Sequence, residues 1–158
     1  MEKSNIVKLV AALVFTLGFG SLGAVFTAPE INSWYVTLIK PSFNPPNWIF
    51  GPVWTTLYLL MGISFYLVWK QPTSPARTAG VLFFLIQFVL NFFWSFIFFR
   101  QHAIGIAFIE IVFMWLFIVF TINEFRKLHQ WAAWLLLPYL LWVSFASVLN
   151  YSIWKLNS

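Results

Sequence analysis

WYVTLIKPSFNPPNWIFGPVWTTLY, residues 34–58, carries three Trp (Trp34, Trp48, Trp54), two Tyr (Tyr35, Tyr58) and four Pro (Pro41, Pro45, Pro46, Pro52). Proline fixes φ and removes a backbone donor, so the stretch is not one uninterrupted helix. The residue before each proline is pushed towards extended backbone. Long apolar runs flank the segment on both sides. A stiff aromatic segment beside a membrane span is suited to covering a pocket.

Working outward, the composition decides the class. Of 158 residues, 61% are hydrophobic and 8% charged. A soluble domain is about half apolar and about a quarter charged. The chain is therefore read as an all-α integral membrane protein of one domain. It contains no Cys, which excludes a disulfide, a thiolate metal site and a Cys nucleophile. The net charge is +5, but the nine Lys and Arg are scattered among connections and ends. Nucleic acid is not expected as a partner without a basic stripe. Lys3 and Lys8 give the first apolar run a basic start. Residues 9–28 are long for a secretory core, and Phe26 interrupts a small-residue cleavage pattern before Pro29, so the run is read as a retained span.

A span needs about 20 mainly apolar residues. Five segments qualify, residues 6–27, 48–69, 78–99, 104–123 and 131–154, giving a bundle of five transmembrane helices. The third and fourth are separated only by residues 100–103 and should form an antiparallel hairpin. The longest connection, residues 28–47, is expected to be a pocket-covering loop rather than disordered, because it carries Trp34, Tyr35 and Phe43. The N-terminus and the second and fourth connections share one side and carry Lys3, Lys8, Lys70, Arg77, Arg126 and Lys127. Lys40, Arg100 and Lys155 lie on the other. This bias predicts a cytoplasmic N-terminus and an outward first connection. Trp34, Trp69, Trp131 and Trp154 suit interfacial belts.

Helical spacing puts Trp54, Tyr58 and Met61 on one face of the second span. Gln87, Asn91 and Ser95 recur every fourth residue on the third, with Trp94 beside them. On the fifth, Pro138, Trp142 and Ala146 align, as do Ser144, Ser147 and Tyr151. Polar side chains in hydrocarbon face other helices or a cavity. Singly, such residues are read as interhelical packing. As a set beneath an aromatic loop they favour a pocket, in which a flat apolar ligand stacks on Trp and Tyr while Asn91 and Gln87 orient it. Pro138 frees a carbonyl that neighbouring groups must satisfy. Thr16, Gly20, Ala24 and Ala28 form a small-residue stripe suited to close packing within or between chains. Glu110 is the one acid well inside a span and is read as functional or structural with equal weight. His102 and His129 are placed at connections and read as solvated rather than as haem ligands. No metal site is expected, and there is no Ser-His-Asp set, phosphate loop or HExxH motif.

Several of these residues resemble a known signature. Trp34-Tyr35, Leu38, Lys40-Pro41, Pro45-Pro46, Gly51 and Val53-Trp54 look like that of the TspO/MBR family of tryptophan-rich sensory or translocator proteins. Asn91-Phe92-Phe93-Trp94-Ser95 resembles its third-helix motif. Pro138-Tyr139-Leu140-Leu141-Trp142, Phe145-Ala146 and Leu149-Asn150 resemble its fifth-helix motif. The similarity covers nearly the whole chain in the right order. It implies a five-helix bundle, often dimeric, with a pocket beneath the first loop. It implies binding of tetrapyrroles such as protoporphyrin IX for sensing, transport or stress regulation, with the porphyrin as ligand and no required cofactor. The alternatives it leaves are light-dependent porphyrin degradation and a sterol- or lipid-binding scaffold. By motif match the ligand-binding residues would be Tyr35, Pro45, Trp54, Asn91, Trp94, Ser95, Trp142, Ala146 and Leu149, with Tyr58 where an aromatic is often found. Trp54 and Trp142 are the candidates for photochemistry. Lys40 and Arg100, on the loop side, are inferred partners for ligand carboxylates. The family's cholesterol pattern fits residues 149–155, where an ordinary interfacial helix end is the stronger reading. One departure concerns a homodimer: the third-helix face begins with Ala79-Gly80 but continues with Phe83 and Phe84.

Overall fold

The computed structural model describes residues 3–158. Within them five helical stretches are long and apolar enough to cross a membrane, Lys3–Ile31, Asn47–Trp69, Pro75–Arg100, Ile104–Leu128 and Gln130–Leu156. The protein is a multi-pass membrane protein.

The first stretch is not one helix. α1 (Lys3–Ser21) stops, and after a turn at Leu22 and Gly23, α2 (Ala24–Ile31) begins. α2 includes Pro29, so the first connection starts later than expected, after Ile31. Two short 3₁₀ turns, Tyr35–Thr37 and Asn47–Ile49, punctuate the connection before α3 (Phe50–Trp69). α4 (Pro75–Ser95) opens with proline in its first turn and Ser74 as its cap, whose hydroxyl accepts from the Arg77 amide at 3.2 Å. It runs on through a π turn, Phe96–Arg100. α5 (Ile104–Leu128) continues past the expected end at Asn123, and Glu124 and Lys127 pair at 2.6 Å along its last turn.

The fifth stretch also divides, into α6 (Gln130–Leu135) and α7 (Leu137–Leu156). Pro138 stands in the first turn of α7, where no backbone donor is required, so the helix restarts rather than kinks around it. Ser64 Oγ donates to the Ala132 carbonyl at 2.7 Å just before the break.

Small residues set the helix contacts. A Cβ on Gly62 would lie 2.6 Å from Thr16 Oγ1, and one on Gly20 would lie 2.7 Å from the Tyr58 ring. Thr16 and Gly20 of the small-residue stripe therefore pack α1 on α3 within one chain. Gly80 lies against Phe125, and Phe84 is fully buried against the same ring. The third-helix face that begins at Ala79-Gly80 is thus covered by α5 at Gly80 and Phe84, which leaves those positions unavailable to a second copy. Met61, Phe88, Ile111, Met114, Tyr139 and Val143 complete the buried core.

Candidate ligand-binding site

A cavity of about 440 Å³ lies at the end of the bundle that carries the first connection. Each wall follows from local sequence. α3 contributes Phe50, Trp54 and Tyr58, which its helical repeat brings to one face. Trp54 and Tyr58 stack with ring centroids 5.5 Å apart. α4 and its π turn contribute Trp94, Ser95, Phe98 and Phe99. The wider π turn presents the adjacent Phe98 and Phe99 to the interior together, and both are buried. α7 contributes Trp142, Ala146, Leu149 and Asn150. α2 supplies Ala24, Thr27, Ala28 and Ile31.

The roof is tied down at several points. Tyr35 is 4% exposed, packs on Phe98 and Phe99, and donates its phenol to Asn44 Oδ1 at 2.8 Å. Burial pushes that phenol up to about 12. Asn157 beyond α7 treats Ile39 as a strand neighbour would, accepting from its amide at 3.0 Å and donating to its carbonyl at 2.9 Å. Trp34 stacks on His102 at 4.0 Å, and His102 Nε2 lies 3.4 Å from Glu30 Oε2. His102 takes the left-handed φ of 55° in the tight α4–α5 connection.

Beneath the cavity lies a buried polar layer. Tyr58 donates to Asn91 Oδ1 at 2.9 Å, Asn91 Nδ2 approaches Tyr139 Oη at 3.4 Å, and Tyr139 donates to Gln87 Oε1 at 2.7 Å. A second tie joins three helices: Trp94 Nε1 donates to Asn150 Oδ1 at 3.0 Å, and Asn150 Nδ2 donates to the Ile104 carbonyl at 2.9 Å.

Of the residues expected from sequence, Tyr35, Trp54, Tyr58, Trp94, Ser95, Trp142, Ala146 and Leu149 line the cavity. Asn91 does not; it sits below, 5% exposed, holding Tyr58 from underneath, and Gln87 lies deeper still. Pro45 is also outside the lining, where its carbonyl accepts from Asn44 Nδ2 at 3.1 Å. Lys40 is turned inward on the backbone, donating to the Tyr35 and Leu38 carbonyls at 2.6 and 2.9 Å with its ammonium over the Tyr35 ring. Partial burial lowers its pKa. Arg100 is exposed at the end of the π turn, and neither cation lines the cavity. Sequence reasoning missed the wall that α1 and α2 supply between Leu17 and Ile31, where Gly20, Ala24 and Ala28 were read only as a packing stripe, and it missed Asn47, Phe50, Thr55, Phe98 and Phe99. Asn150 was quotable only as part of a motif, although an in-span amide eight residues after Trp142 is itself a signal. Phe98 and Phe99 gave none, being two among 20 Phe. Both Glu110 oxygens are buried without a hydrogen-bond partner. Residues 149–155 divide, with Leu149 in the cavity wall and Lys155 outside over the Trp154 ring.

No residue lining the cavity carries a charge. The arrangement can stack a flat body between indole and phenol rings and offer it isolated polar atoms. Among the described residues no three His, Cys, Asp or Glu side chains gather where they could hold a metal ion.

The sequence is similar to known proteins over nearly its full length. The TspO/MBR family pattern matches residues 10–155. A tryptophan-rich protein TspO of Archaeoglobus fulgidus is 41% identical over 154 residues, covering 98% of this chain and 99% of the relative. A tryptophan-rich protein TspO of Chlorobaculum tepidum is 41% identical over 157 residues, 97% of this chain and 98% of its own. A translocator protein of Ovis aries is 38% identical over 153 residues, 94% of this chain and 90% of its own. With five spans, a roofed indole-lined cavity and likeness over nearly its full length, the chain belongs to the TspO/MBR family.

Proposed function

We propose that this protein binds flat, largely apolar aromatic ligands of the tetrapyrrole type, for sensing or transport. The observation that carries the reading is the uncharged cavity of about 440 Å³ walled by Trp54, Trp94 and Trp142. That volume falls in the range of roughly 300–1,000 Å³ usual for small-molecule sites. The macrocycle would lie against Trp54 and Trp142. Its carboxylates would remain at the loop end, where Arg100 can meet them and Lys40 can do so by leaving its two carbonyls. The name translocator, carried by the relative of Ovis aries, supports movement of ligand as part of the role. The excess of Lys and Arg on the N-terminal side supports a cytoplasmic N-terminus.

The test is quenching of tryptophan fluorescence by protoporphyrin IX in the reconstituted protein. Trp54→Ala should weaken binding by about tenfold, as expected for loss of one well-packed aromatic anchor. Flat titrations for the unmodified chain would end the reading. Charge reversal at both Lys40 and Arg100 without change in affinity would remove the carboxylate pairing alone.

A second reading rests on the same two indoles. Trp54 and Trp142 both line the cavity and both are oxidisable, which supports light-driven breakdown of bound porphyrin. Trp142→Phe keeps an aromatic wall. Loss of illuminated product formation with binding retained would favour this chemistry.

A further inference from the structure

Every exposed residue that lines the cavity lies on one of two facing edges. Ser21, Ala24 and Ala28 form one edge, on α1 and α2; Gly51 and Thr55 form the other, on α3. No lining residue on α4 or α7 is exposed.

The other sides are shut by rings. Between α3 and α7, Phe50 meets Trp142 at 5.9 Å and Trp142 meets Phe145 at 5.5 Å, with Phe43 of the roof 6.3 Å from Phe145. Between α2 and α4, Phe26 meets Phe92 at 5.6 Å and Phe96 at 5.2 Å.

The opening has a structural cause. Lower down, α1 is held on α3 by the close approaches of Gly62 to Thr16 and Gly20 to Tyr58. Just above, the helix breaks at Leu22 and Gly23. Gly23 seats against Ser95, where a Cβ would stand 3.0 Å from Oγ, and Phe26 carries α2 onto the α4 side. α1 and α3 touch below the break, while α2 above it packs on α4.

The rim is chemically quiet. Ser21 donates its hydroxyl to the Gly18 carbonyl and Thr55 to the Gly51 carbonyl, each at 2.9 Å. The rest is methyl groups and bare backbone, and a Cβ on Gly51 would meet nothing within 4 Å. Leu22, Val25 and Leu59 around it are exposed and apolar, as a surface facing acyl chains should be. An apolar molecule crossing such a rim leaves no hydrogen bond broken behind it.

We propose that the gap between α2 and α3 is a lateral portal, through which largely apolar, bilayer-dissolved ligands enter and leave the cavity without passing the roof. The identity of the ligand rests on the reading above; the portal itself does not.

Because the chain holds no cysteine, single introduced thiols report one position each. Gly51→Cys and Ala28→Cys would be alkylated with a bulky maleimide in protein reconstituted into phosphatidylcholine nanodiscs. Protoporphyrin IX dissolved in the lipid then serves as probe in stopped-flow quenching. Association and dissociation should both slow by about tenfold or more, as expected when a gating route is obstructed. The same label at Ile109→Cys, exposed on α5, which contributes nothing to the lining, should leave both rates alone. Unchanged rates at Gly51 and Ala28, or slowing at Phe43→Cys on the roof instead, would overturn the proposal. A nitroxide on Gly51→Cys decides the question without ligand. It should collide with dissolved oxygen rather than with a water-soluble nickel chelate, and the reverse preference would overturn the portal. If protoporphyrin IX fails to quench any variant, the tetrapyrrole reading falls while the nitroxide result still stands for or against the portal.

Discussion

The phenol of Tyr58 donates to the side-chain carbonyl of Asn91 at 2.9 Å, and so fastens a wall of the cavity on α3 to a buried amide on α4. Asn91 in turn lies within reach of Tyr139, which donates to Gln87. All four side chains are buried, so each polar atom that loses its partner has no water to turn to. Tyr58→Phe should therefore destabilise the protein by about 1–3 kcal/mol, the usual cost of a buried unpaired acceptor. Adding Asn91→Leu should recover part of that loss. Thermal unfolding of the two single variants and the double variant measures the coupling, and strict additivity would argue against it.

Gly20 and Gly18 should respond in opposite directions. A Cβ at Gly20 would stand 2.7 Å from the Tyr58 ring, whereas one at Gly18 would meet nothing within 4 Å. Gly20→Ala should destabilise by about 1–3 kcal/mol through overpacking and displace a ring that lines the cavity. Gly18→Ala, inside α1, should stabilise by about 0.5–1 kcal/mol because alanine loses less chain entropy. Melting temperatures in one detergent test both.

His102 adopts φ 55° and stacks on Trp34. His102→Ala loses the stack and keeps the strained backbone, while His102→Gly loses the stack and relieves about 1 kcal/mol of strain. The glycine variant should be the more stable of the two. Amide hydrogen exchange across residues 32–46 should quicken in both, since the stack is one of the ties that hold the roof.

Tyr35 gives a pH dependence at the alkaline end. An ordinary tyrosine ionises near 10; burial pushes Tyr35 up to about 12. The folded state thus holds the phenolic proton more tightly than the unfolded chain. Its contribution is fully present below about pH 10 and is lost as pH rises from there to about 12. The fall in unfolding temperature over that interval should be shallower in Tyr35→Phe, and equal slopes would show that Tyr35 is not responsible.

The five spans, the aromatic segment over one end and the indole positions of the cavity wall were legible because they depend on local signals. Apolar length marks a span, proline ends a helix, and Trp54 and Tyr58, or Trp142 and Ala146, share a face by helical repeat alone. Asn91 shows the limit. Its spacing with Ser95 is right for one face, yet it lies one layer too deep, because Tyr58 interposes its ring between the amide and the cavity. Lys40 shows another: a loop cation looks free until the chain folds back and offers it the carbonyls of Tyr35 and Leu38.

By itself, the order of residues determined that this chain lies in a bilayer as five helices and that an indole-rich segment sits over one end, since hydropathy and proline chemistry act within a few residues. Only the tertiary structure decided where the empty space lies and which side of it is open. The break at Gly23, the π turn at Phe96 and the meeting of Phe26 with α4 are balanced by contacts between distant parts of the chain. A cavity is the place those contacts leave unfilled, and no local pattern encodes it.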